Sequence, residues 1–246
     1  MLRLENIYKS FPHHFEPILK GINLEIQEGE FCVILGSNGS GKSSLLKTIT
    51  GEYALDSGKI FLASQEISSW PLYKRAKMIS SVAQDITKGT VQEMTLLENM
   101  VLSSLRGKSG VLRFYHNKKD EMESLIQELG LGLEKYIMQP LHILSGGQRQ
   151  SIATLMATLS DPLLLVLDEH TSALDPKTQS HLMEYTAQKV KNKKLTTLMV
   201  THHLKDALRY GDRLIIMNRG EIVLDVKEGK ENLCIDDLLQ KYGALE

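Results

Sequence analysis

A glycine-rich segment at residues 36–43, Gly-Ser-Asn-Gly-Ser-Gly-Lys-Ser, has the composition of a phosphate-binding loop. It follows an apolar run at residues 30–35 and precedes a helical pattern at residues 43–49. Glycines let the main chain wrap around phosphate oxygens with its N–H groups pointing inward, and the following helix presents its positive end. This order matches the P-loop pattern, in which Lys42 is expected to reach the β- and γ-phosphates of a nucleotide. The predicted nucleotide-binding residues are Gly36, Ser37, Asn38, Gly39, Ser40, Gly41, Lys42, Ser43 and Ser44.

Two acidic residues, Asp168 and Glu169, follow a second apolar run at residues 163–167. Strands of a parallel sheet deliver their last side chains to the ligand crevice, so this position suits a metal site. We expect Ser43 to ligate Mg²⁺ and Asp168 to hold the ion through water. Glu169 would then polarise the water that attacks the γ-phosphate. In the alternative interpretation, the two acids only cap a helix at residues 171–174.

A third apolar run at residues 196–200 completes an alternation of strands and helices, which is typical of an α/β fold with a buried parallel sheet. Residues 85–157 instead show helical periodicity and little β-branched enrichment, which predicts an inserted helical subdomain. Residues 1–84 and 158–246 then form the core. Near the end of the chain, Asn-Arg-Gly at residues 218–220 lies between two apolar runs and predicts a β-hairpin.

The segment Leu-Ser-Gly-Gly-Gln at residues 144–148 reproduces the signature sequence of ABC ATPases. It lies between the glycine loop and Asp168, in the order that this family uses, and the chain resembles the family over essentially its whole length. The resemblance implies an α/β fold: a P-loop NTPase (RecA-like) core with an N-terminal antiparallel β part and an inserted helical subdomain. It also implies ATP as the nucleotide and Mg²⁺ as the cofactor. The signature residues, which in the family act on the ATP of a partner subunit, are Leu144, Ser145, Gly146, Gly147 and Gln148.

Three further positions match the family's pattern. Gln84 resembles the Q-loop glutamine, which contacts Mg²⁺ and water and links the helical subdomain to a membrane partner. Asp175 ends a segment that resembles the D-loop, and His202 resembles the switch histidine that contacts the γ-phosphate. The resemblance therefore implies a catalytic set of Glu169, His202 and Gln84, and a metal set of Ser43, Gln84 and Asp168. His170 departs from the pattern, because many members have proline there; proline is not needed for proton transfer, so activity is expected to persist.

An aromatic side chain near the N-terminus stacks on adenine in the family. Phe11 resembles that residue, with Tyr8 and Phe15 as competing candidates. Any of the three could supply a π-face, although aromatic residues near an N-terminal strand more often belong to the core.

The resemblance implies specific partners. In the family, two such subunits pair head to tail, and one copy of every motif makes a homodimer the simpler case. The expected function is the ATP-hydrolysing subunit of a membrane transporter, bound to transmembrane permease chains. Residues 90–99, 144–151, 168–178 and 195–202 resemble a bacterial importer subgroup that works with a solute-binding protein, often for tryptophan or other aromatic amino acids. The alternative is a soluble ABC ATPase of an assembly system such as iron-sulfur cluster biogenesis.

Composition and the apolar runs limit the possible binding partners and the location of the protein. Lysine plus arginine total 29 against 30 for aspartate plus glutamate, so the net charge of -1 gives no field to attract nucleic acid. The N-terminus has no secretory pattern, and the apolar runs are far shorter than the roughly 20 residues that span a bilayer. We therefore expect a peripheral protein, held by its permease at the cytoplasmic face of the inner or plasma membrane.

Two segments have open interpretations. Residues 106–119 carry five basic residues before the first acid, and they either face anionic headgroups or form a solvated basic loop. The solvated loop is the interpretation that short charge runs favour. Residues 235–242 have the pattern of a short amphipathic helix.

Overall fold

Strands and helices alternate along the part of the chain that the computed structural model describes, residues 1–12, 15–85, 89–107, 115–172, 174–234, 236 and 238. The strands are β1 (Leu2–Lys9), β2 (Leu19–Ile26), β3 (Phe31–Gly36), β4 (Ser57–Leu62), β5 (Gln65–Glu66), β6 (Ile79–Val82), β7 (Leu164–Asp168), β8 (Thr197–Val200), β9 (Arg213–Asn218) and β10 (Glu221–Val226). The α-helices are α1 (Lys42–Thr50), α2 (Leu72–Arg75), α3 (Leu96–Ser104), α4 (Lys119–Gln127), α5 (Gly146–Ala157), α6 (Pro176–Lys193) and α7 (Leu204–Arg209). Short 3-10 helices lie at Tyr115–Lys118, Glu134–Tyr136, Leu141–Ile143 and Lys230–Asn232.

The N-terminal sheet is antiparallel and has the strand order β2-β1-β4-β5. Its strands follow the period of two that a sheet with one buried face requires. In β2, for example, Ile22, Leu24 and Ile26 are buried, whereas Asn23 and Glu25 between them are exposed. The structure thus confirms the antiparallel part that the family resemblance implied.

The second sheet has the order β10-β9-β3-β8-β7-β6 and is parallel except for β10. Strands β3, β7 and β8 are buried at every residue, because elements pack on both faces of the sheet. The prediction of a buried parallel sheet is therefore confirmed. The bounds differ slightly for β7: Leu163 is exposed, and the strand extends instead to Asp168, which pairs with Val200 of β8.

The two faces of the parallel sheet pack against different cores. One face contributes Ile34 and Val200 to a cluster that also holds Leu45 and Ile49 of α1 and the apolar side of the antiparallel sheet. The other face packs against α6 and α7 in a second cluster. Helix α1 thus lies between the two sheets, and its burial holds the N-terminal end of the helix against the carboxyl end of β3.

Helices α3, α4 and α5 form a third cluster around Met100, Ile126 and Leu155. The same cluster includes Leu182 and Tyr185 of α6, so the helical region packs directly on the core. Within the described residues of the predicted 85–157 insertion, the regular elements are helical. The division of the chain at these bounds remains a prediction.

The predicted hairpin is present: β9 and β10 pair antiparallel and are joined by Arg219 and Gly220. Both residues have positive φ, 45° and 84°, as a tight two-residue turn requires. The alternative helix at residues 171–174 is wrong. Helix α6 begins at Pro176, and Asp175 caps it by accepting from the main-chain N–H groups of Lys177 and Thr178 at 3.2 and 3.1 Å.

The basic stretch divides into two kinds of residue. Arg106 is not available to headgroups: it is half-buried, its Nη1 donates to Ser80 Oγ at 2.8 Å, and burial lowers the pKa of its guanidinium. Lys118 and Lys119 pair instead with Glu121 and Glu123 of α4, as on a solvated helix. Residues 108–114 lie outside the described residues, as does most of the predicted helix at residues 235–242.

Candidate nucleotide-binding and catalytic site

The loop between β3 and α1 has a shape that only glycine can supply at several positions. Gly39 and Gly41 have φ of 83° and 100°, in the region that side chains disfavour. A Cβ on Gly41 would lie 2.8 Å from the carbonyl oxygen of Ile18, and one on Gly36 would lie 2.5 Å from that of Met217. The glycines that predicted a phosphate-binding loop are therefore required by its backbone path.

Lys42 is buried at the start of α1, and its ammonium group closes the loop. Its Nζ donates to the carbonyl oxygens of Gly36 and Ser37 at 2.7 and 2.8 Å. Burial lowers the pKa of Lys42, while the charges of Glu169 and Asp168 oppose this shift. A buried cation at the N-terminal end of a helix makes this loop suited to an anionic ligand.

Ser43 and Asp168 meet across the crevice from α1 to the end of β7. The Ser43 hydroxyl donates to Oδ1 of Asp168 at 3.1 Å. Burial raises the pKa of Asp168, and the nearby charge of Glu169 adds to this effect. A cation would relieve that unfavourable burial of charge.

The donor set at this point fits Mg²⁺ better than a softer metal. A hydroxyl, a carboxylate and an amide are oxygen ligands, and Mg²⁺ commonly takes only one or two carboxylates from protein and completes its shell with water and phosphate. The described residues contain no group of three or more His, Cys, Asp or Glu side chains placed to hold a metal by themselves. The residues present are therefore compatible with a magnesium ion that arrives with a nucleotide.

Glu169 lies one residue beyond β7, and two predicted site residues contact its carboxylate. Gln84 Nε2 donates to Oε2 of Glu169 at 3.0 Å, and Nδ1 of His202 lies 3.4 Å from the same oxygen. The Glu169 backbone has a φ of 46°, which is uncommon for a residue with a side chain. Its N–H donates to Val200 O at 3.1 Å, so the end of β8 holds this conformation. The structure thus brings together the three residues of the predicted catalytic set.

A cleft of about 390 Å³ is lined by several of these groups, although Asp168 and His202 are not among its described lining residues. Its lining includes Lys42 and Ser43 on one side and Gln84 and Glu169 on the other. Phosphate-binding, metal-binding and water-polarising candidates therefore face one space, which is open to solvent and large enough for the phosphates of a nucleotide.

His170, the departure from the family's pattern, is fully buried beside Glu169. Burial lowers the pKa of its imidazole to about 4, so the ring is neutral near pH 7. Its Nε2 has no hydrogen-bond partner within the described ranges. His203 packs against His202, with ring centroids 4.1 Å apart and 40° between the ring planes.

The signature segment forms the start of α5. Ser145 is the N-cap: its Oγ accepts from Gln148 N–H at 3.3 Å, and the Gln148 side chain accepts from Ser145 N–H at 3.0 Å. This reciprocal capping box fixes the helix end. A Cβ on Gly147 would lie 3.0 Å from Leu174, so the glycine permits close packing against the segment before α6. Of the described residues, those lining the 390 Å³ cleft include none of residues 144–148.

The remaining site predictions lie outside the cleft. Asp175 caps α6, and hydrogen bonds from the side chain and the main-chain N–H of Thr178 lower the pKa of its carboxyl group. Phe11 packs edge-on against Tyr53 with centroids 5.0 Å apart, whereas Tyr8 and Phe15 are exposed. None of the three candidate aromatic residues is among the described residues that line the cleft. The choice of adenine-stacking residue remains a prediction.

Two residues that the sequence analysis did not single out support the site. Arg75 is 2% exposed, and its guanidinium donates to four main-chain carbonyl groups, two of them at the C-terminal end of α1. Gln150 of α5 contacts the carbonyl oxygen of Ala83, the residue before Gln84. Sequence patterns give no signal for either, because the contacts of Arg75 with α1 and of Gln150 with Ala83 join distant parts of the chain.

The chain matches the family described as ABC transporter over residues 19–172. It is 45% identical over 247 residues to a tyrosine transport ATP-binding protein of Clostridioides difficile, with 98% of each chain covered. It is 30% identical to a phosphonates import ATP-binding protein of Treponema denticola, with 98% of this chain and 94% of the relative covered.

Solved structures show the same architecture. A dimeric ATP-binding cassette in a post-hydrolysis state, bound to ADP and Pi, superposes with a TM-score of 0.81 at 28% identity, covering 92% of this chain and 98% of the other. A nucleotide-free cassette from an ABC transporter superposes with a TM-score of 0.79 at 25% identity. No helix among the described residues is long and apolar enough to cross a membrane.

Proposed function

This chain belongs to the ABC transporter family and is an ATPase, and from that premise we propose that it powers a bacterial importer of tyrosine or a related aromatic amino acid. The observation that carries the proposal is the single cleft in which Lys42, Ser43, Gln84 and Glu169 meet. The 45% identity to a tyrosine transport ATP-binding protein supports the substrate class.

Nucleotide binding is assigned to the glycine loop. Main-chain N–H groups of residues 36–44 would hold the phosphates, and the N-terminal end of α1 adds a favourable dipole. Lys42 would exchange its contacts with Gly36 and Ser37 for the β- and γ-phosphate oxygens. The exchange replaces neutral carbonyl acceptors by charged ones, which strengthens each hydrogen bond.

Hydrolysis is assigned to Glu169. Its carboxylate would accept a proton from the water that attacks the γ-phosphate, while Gln84 and His202 hold the carboxylate in place. Mg²⁺, held by Ser43, Asp168 and the amide oxygen of Gln84, would neutralise charge on the β- and γ-phosphate oxygens. The low exposure of the Glu169 side chain, 13%, supports a role as a base because fewer waters compete for it.

A second subunit would complete each ATP site. The signature segment, residues 144–148, is absent from the described lining of its own chain's cleft, and its glycines and the N-terminus of α5 can accept phosphate from another chain. We therefore propose a head-to-tail homodimer, with Ser145 and the N–H groups after it facing the partner's ATP. The likeness to a dimeric cassette supports this arrangement.

Coupling to transport follows from the dimer. ATP touches both subunits and favours the closed form, and hydrolysis removes that preference; a nearly complete switch needs a differential affinity of roughly 5.5 kcal/mol. Permease chains bound at the cytoplasmic face of the membrane would convert closing into movement of their helices. A solute-binding protein would deliver the amino acid, since an ATPase subunit has no contact with the cargo.

Reconstitution with the permease tests the proposal. The chain should co-purify with permease chains, and ATP turnover in proteoliposomes should rise when tyrosine-loaded solute-binding protein is added. A Lys42→Ala variant should assemble equally well but fail to respond. Turnover that ignores the loaded binding protein, or a chain that does not associate with a permease, would contradict the transport assignment.

A further inference from the structure

A small cavity lies where the carboxyl end of β6 meets the ends of α3 and α5. Ala83, Arg106 and Gln150 are among its lining residues. Its volume is about 20 Å³. A cavity of roughly 10–15 Å³ can hold one water molecule, so this one has room for a single water. The cavity is separate from the cleft that holds the catalytic candidates, yet it borders the main chain one residue before Gln84.

Gln150 is the polar side chain of α5 that borders this cavity. It is 2% exposed, and its Nε2 donates to Ala83 O at 3.4 Å, a long hydrogen bond. Its Oε1 is buried and has no partner among the residues that the structure describes. Buried acceptors without a partner are rare and unfavourable, so this amide is under-bonded at both ends.

The hydrogen bonds that hold α5 in a fixed position are shorter than the contact of Gln150 with Ala83. On the same helix, Thr154 Oγ1 donates to Gln150 O at 2.9 Å, and Ser103 Oγ of α3 donates to Met156 O at 2.8 Å. These short bonds fix α5 internally and against α3. The contact of Gln150 with Ala83 is the long one, so it is the contact that a small movement of α5 would shorten or break.

We propose that Gln150 is a positioning residue that couples the signature segment of this chain to its own catalytic carboxylate. The path runs from α5 through Gln150 to Ala83 O, then to Gln84, whose Nε2 donates to Glu169 Oε2. A water in the cavity would bridge Gln150 Oε1 and the guanidinium of Arg106, which has five N–H donors. This inference rests on the proposed head-to-tail dimer, in which α5 responds to the partner's ATP.

The consequence is communication between the two ATP sites of the dimer. ATP in the partner's site contacts residues 145–148 and α5 shifts. Gln150 then moves Ala83, which changes how Gln84 holds Glu169 in the responding chain. Hydrolysis at one site therefore depends on occupancy of the other, which appears as a Hill coefficient above 1 for ATP turnover.

A Gln150→Met variant tests the path because methionine keeps the length and removes both polar atoms. We expect its Hill coefficient to fall to about 1 and kcat to fall by a factor of about 2 to 30. Thr154→Val, equally buried on the same helix, should keep the parent's Hill coefficient. Combined with Glu169→Gln, Gln150→Met should still form an ATP-bound dimer by light scattering, because it leaves the signature segment intact.

Three results would overturn the inference: a Gln150→Met variant with the parent's Hill coefficient, a parent whose turnover is not cooperative, or loss of the ATP-bound dimer in the double variant. Each leaves permease association and stimulated turnover of the parent untouched, so a failure here is distinct from a failure of the proposed function. If Gln150→Met does not fold, Arg106→Lys probes the same cavity from the opposite wall. It should lower the Hill coefficient, and an unchanged coefficient would equally refute the path.

Discussion

Arg75 should be among the most destabilising positions for substitution in this chain, although it lies outside the cleft. Its guanidinium donates to the carbonyl oxygens of Thr48, Ile49, Ser68 and Trp70 at 2.7, 2.9, 2.8 and 3.0 Å. The first two belong to the last turn of α1, where a positive charge also favours the helix dipole. The other two lie in the loop after β5, so Arg75 joins the phosphate-loop helix to the antiparallel sheet.

The expected cost of Arg75→Met is about 3 kcal/mol. Four carbonyl groups lose their donor, two of them buried and two partly buried, and an unmet buried acceptor costs at least about 1 kcal/mol. Removing a charge whose burial lowers its pKa returns part of that cost, because the guanidinium was itself desolvated. Arg75→Lys should cost about half as much, since an ammonium group offers three donors from one point and cannot reach all four oxygens.

Urea unfolding of the nucleotide-free chain measures these differences in the free energy of unfolding. The exposed Lys77, two residues along the chain, provides the matched control, and Lys77→Met should change the free energy by less than about 0.5 kcal/mol. A loss below about 1 kcal/mol for Arg75→Met would refute the view that these four hydrogen bonds hold α1 in place.

Three other perturbations have defined outcomes. Gly41→Ala should cost about 1–3 kcal/mol of folding free energy, because φ is 100° and the new Cβ would lie 2.8 Å from Ile18 O. Thermal melting should show the loss, and an unchanged melting temperature would contradict it. Asp168→Asn should stabilise the nucleotide-free protein by about 1 kcal/mol at pH 7 while abolishing Mg²⁺-dependent turnover. The pKa of Asp168 in the folded protein is raised above 3.8, so the free energy of unfolding falls as the pH rises from 3.8 through that raised pKa. Melting curves at a series of pH values should show this decrease in the parent and not in the variant. Ser145→Ala should lower the free energy of unfolding by about 1 kcal/mol, because the helix cap is lost. The variant should also turn over ATP more slowly, while the isolated subunit should bind ATP as tightly as the parent. Weakened binding would place Ser145 in its own chain's site.

Much of the core was predictable because local patterns determine it. Strands β3, β7 and β8 are continuous apolar runs followed by polar residues, and a parallel sheet necessarily places their carboxyl ends side by side. The glycines of the loop mark positions where the backbone has a positive φ or approaches another segment closely. The glycine pattern and the apolar runs therefore sufficed to predict that Lys42, Ser43 and Glu169 would lie close together.

Longer-range contacts were not predictable in this way. Arg75 contacts residues up to 27 positions away, and Gln150 contacts Ala83 across 67 positions, so no local period reports either. Arg106 looked like one member of a solvated basic stretch, yet it is half-buried and contacts Ser80, 26 positions away. The incorrect helix at residues 171–174 has a local origin instead, because the cap that starts α6 is Asp175, with Pro176 after it, rather than either of the two acids at 168 and 169.

Glu169 is the residue on which the catalytic account depends. ATP turnover by the purified chain should be measured beside a Glu169→Gln variant, with dimer formation followed by light scattering in ATP and Mg²⁺. The account predicts that the variant loses turnover and accumulates as an ATP-bound dimer, because the amide cannot accept the proton of the attacking water while the phosphate contacts persist. A variant that hydrolyses ATP at the parent's rate would contradict it.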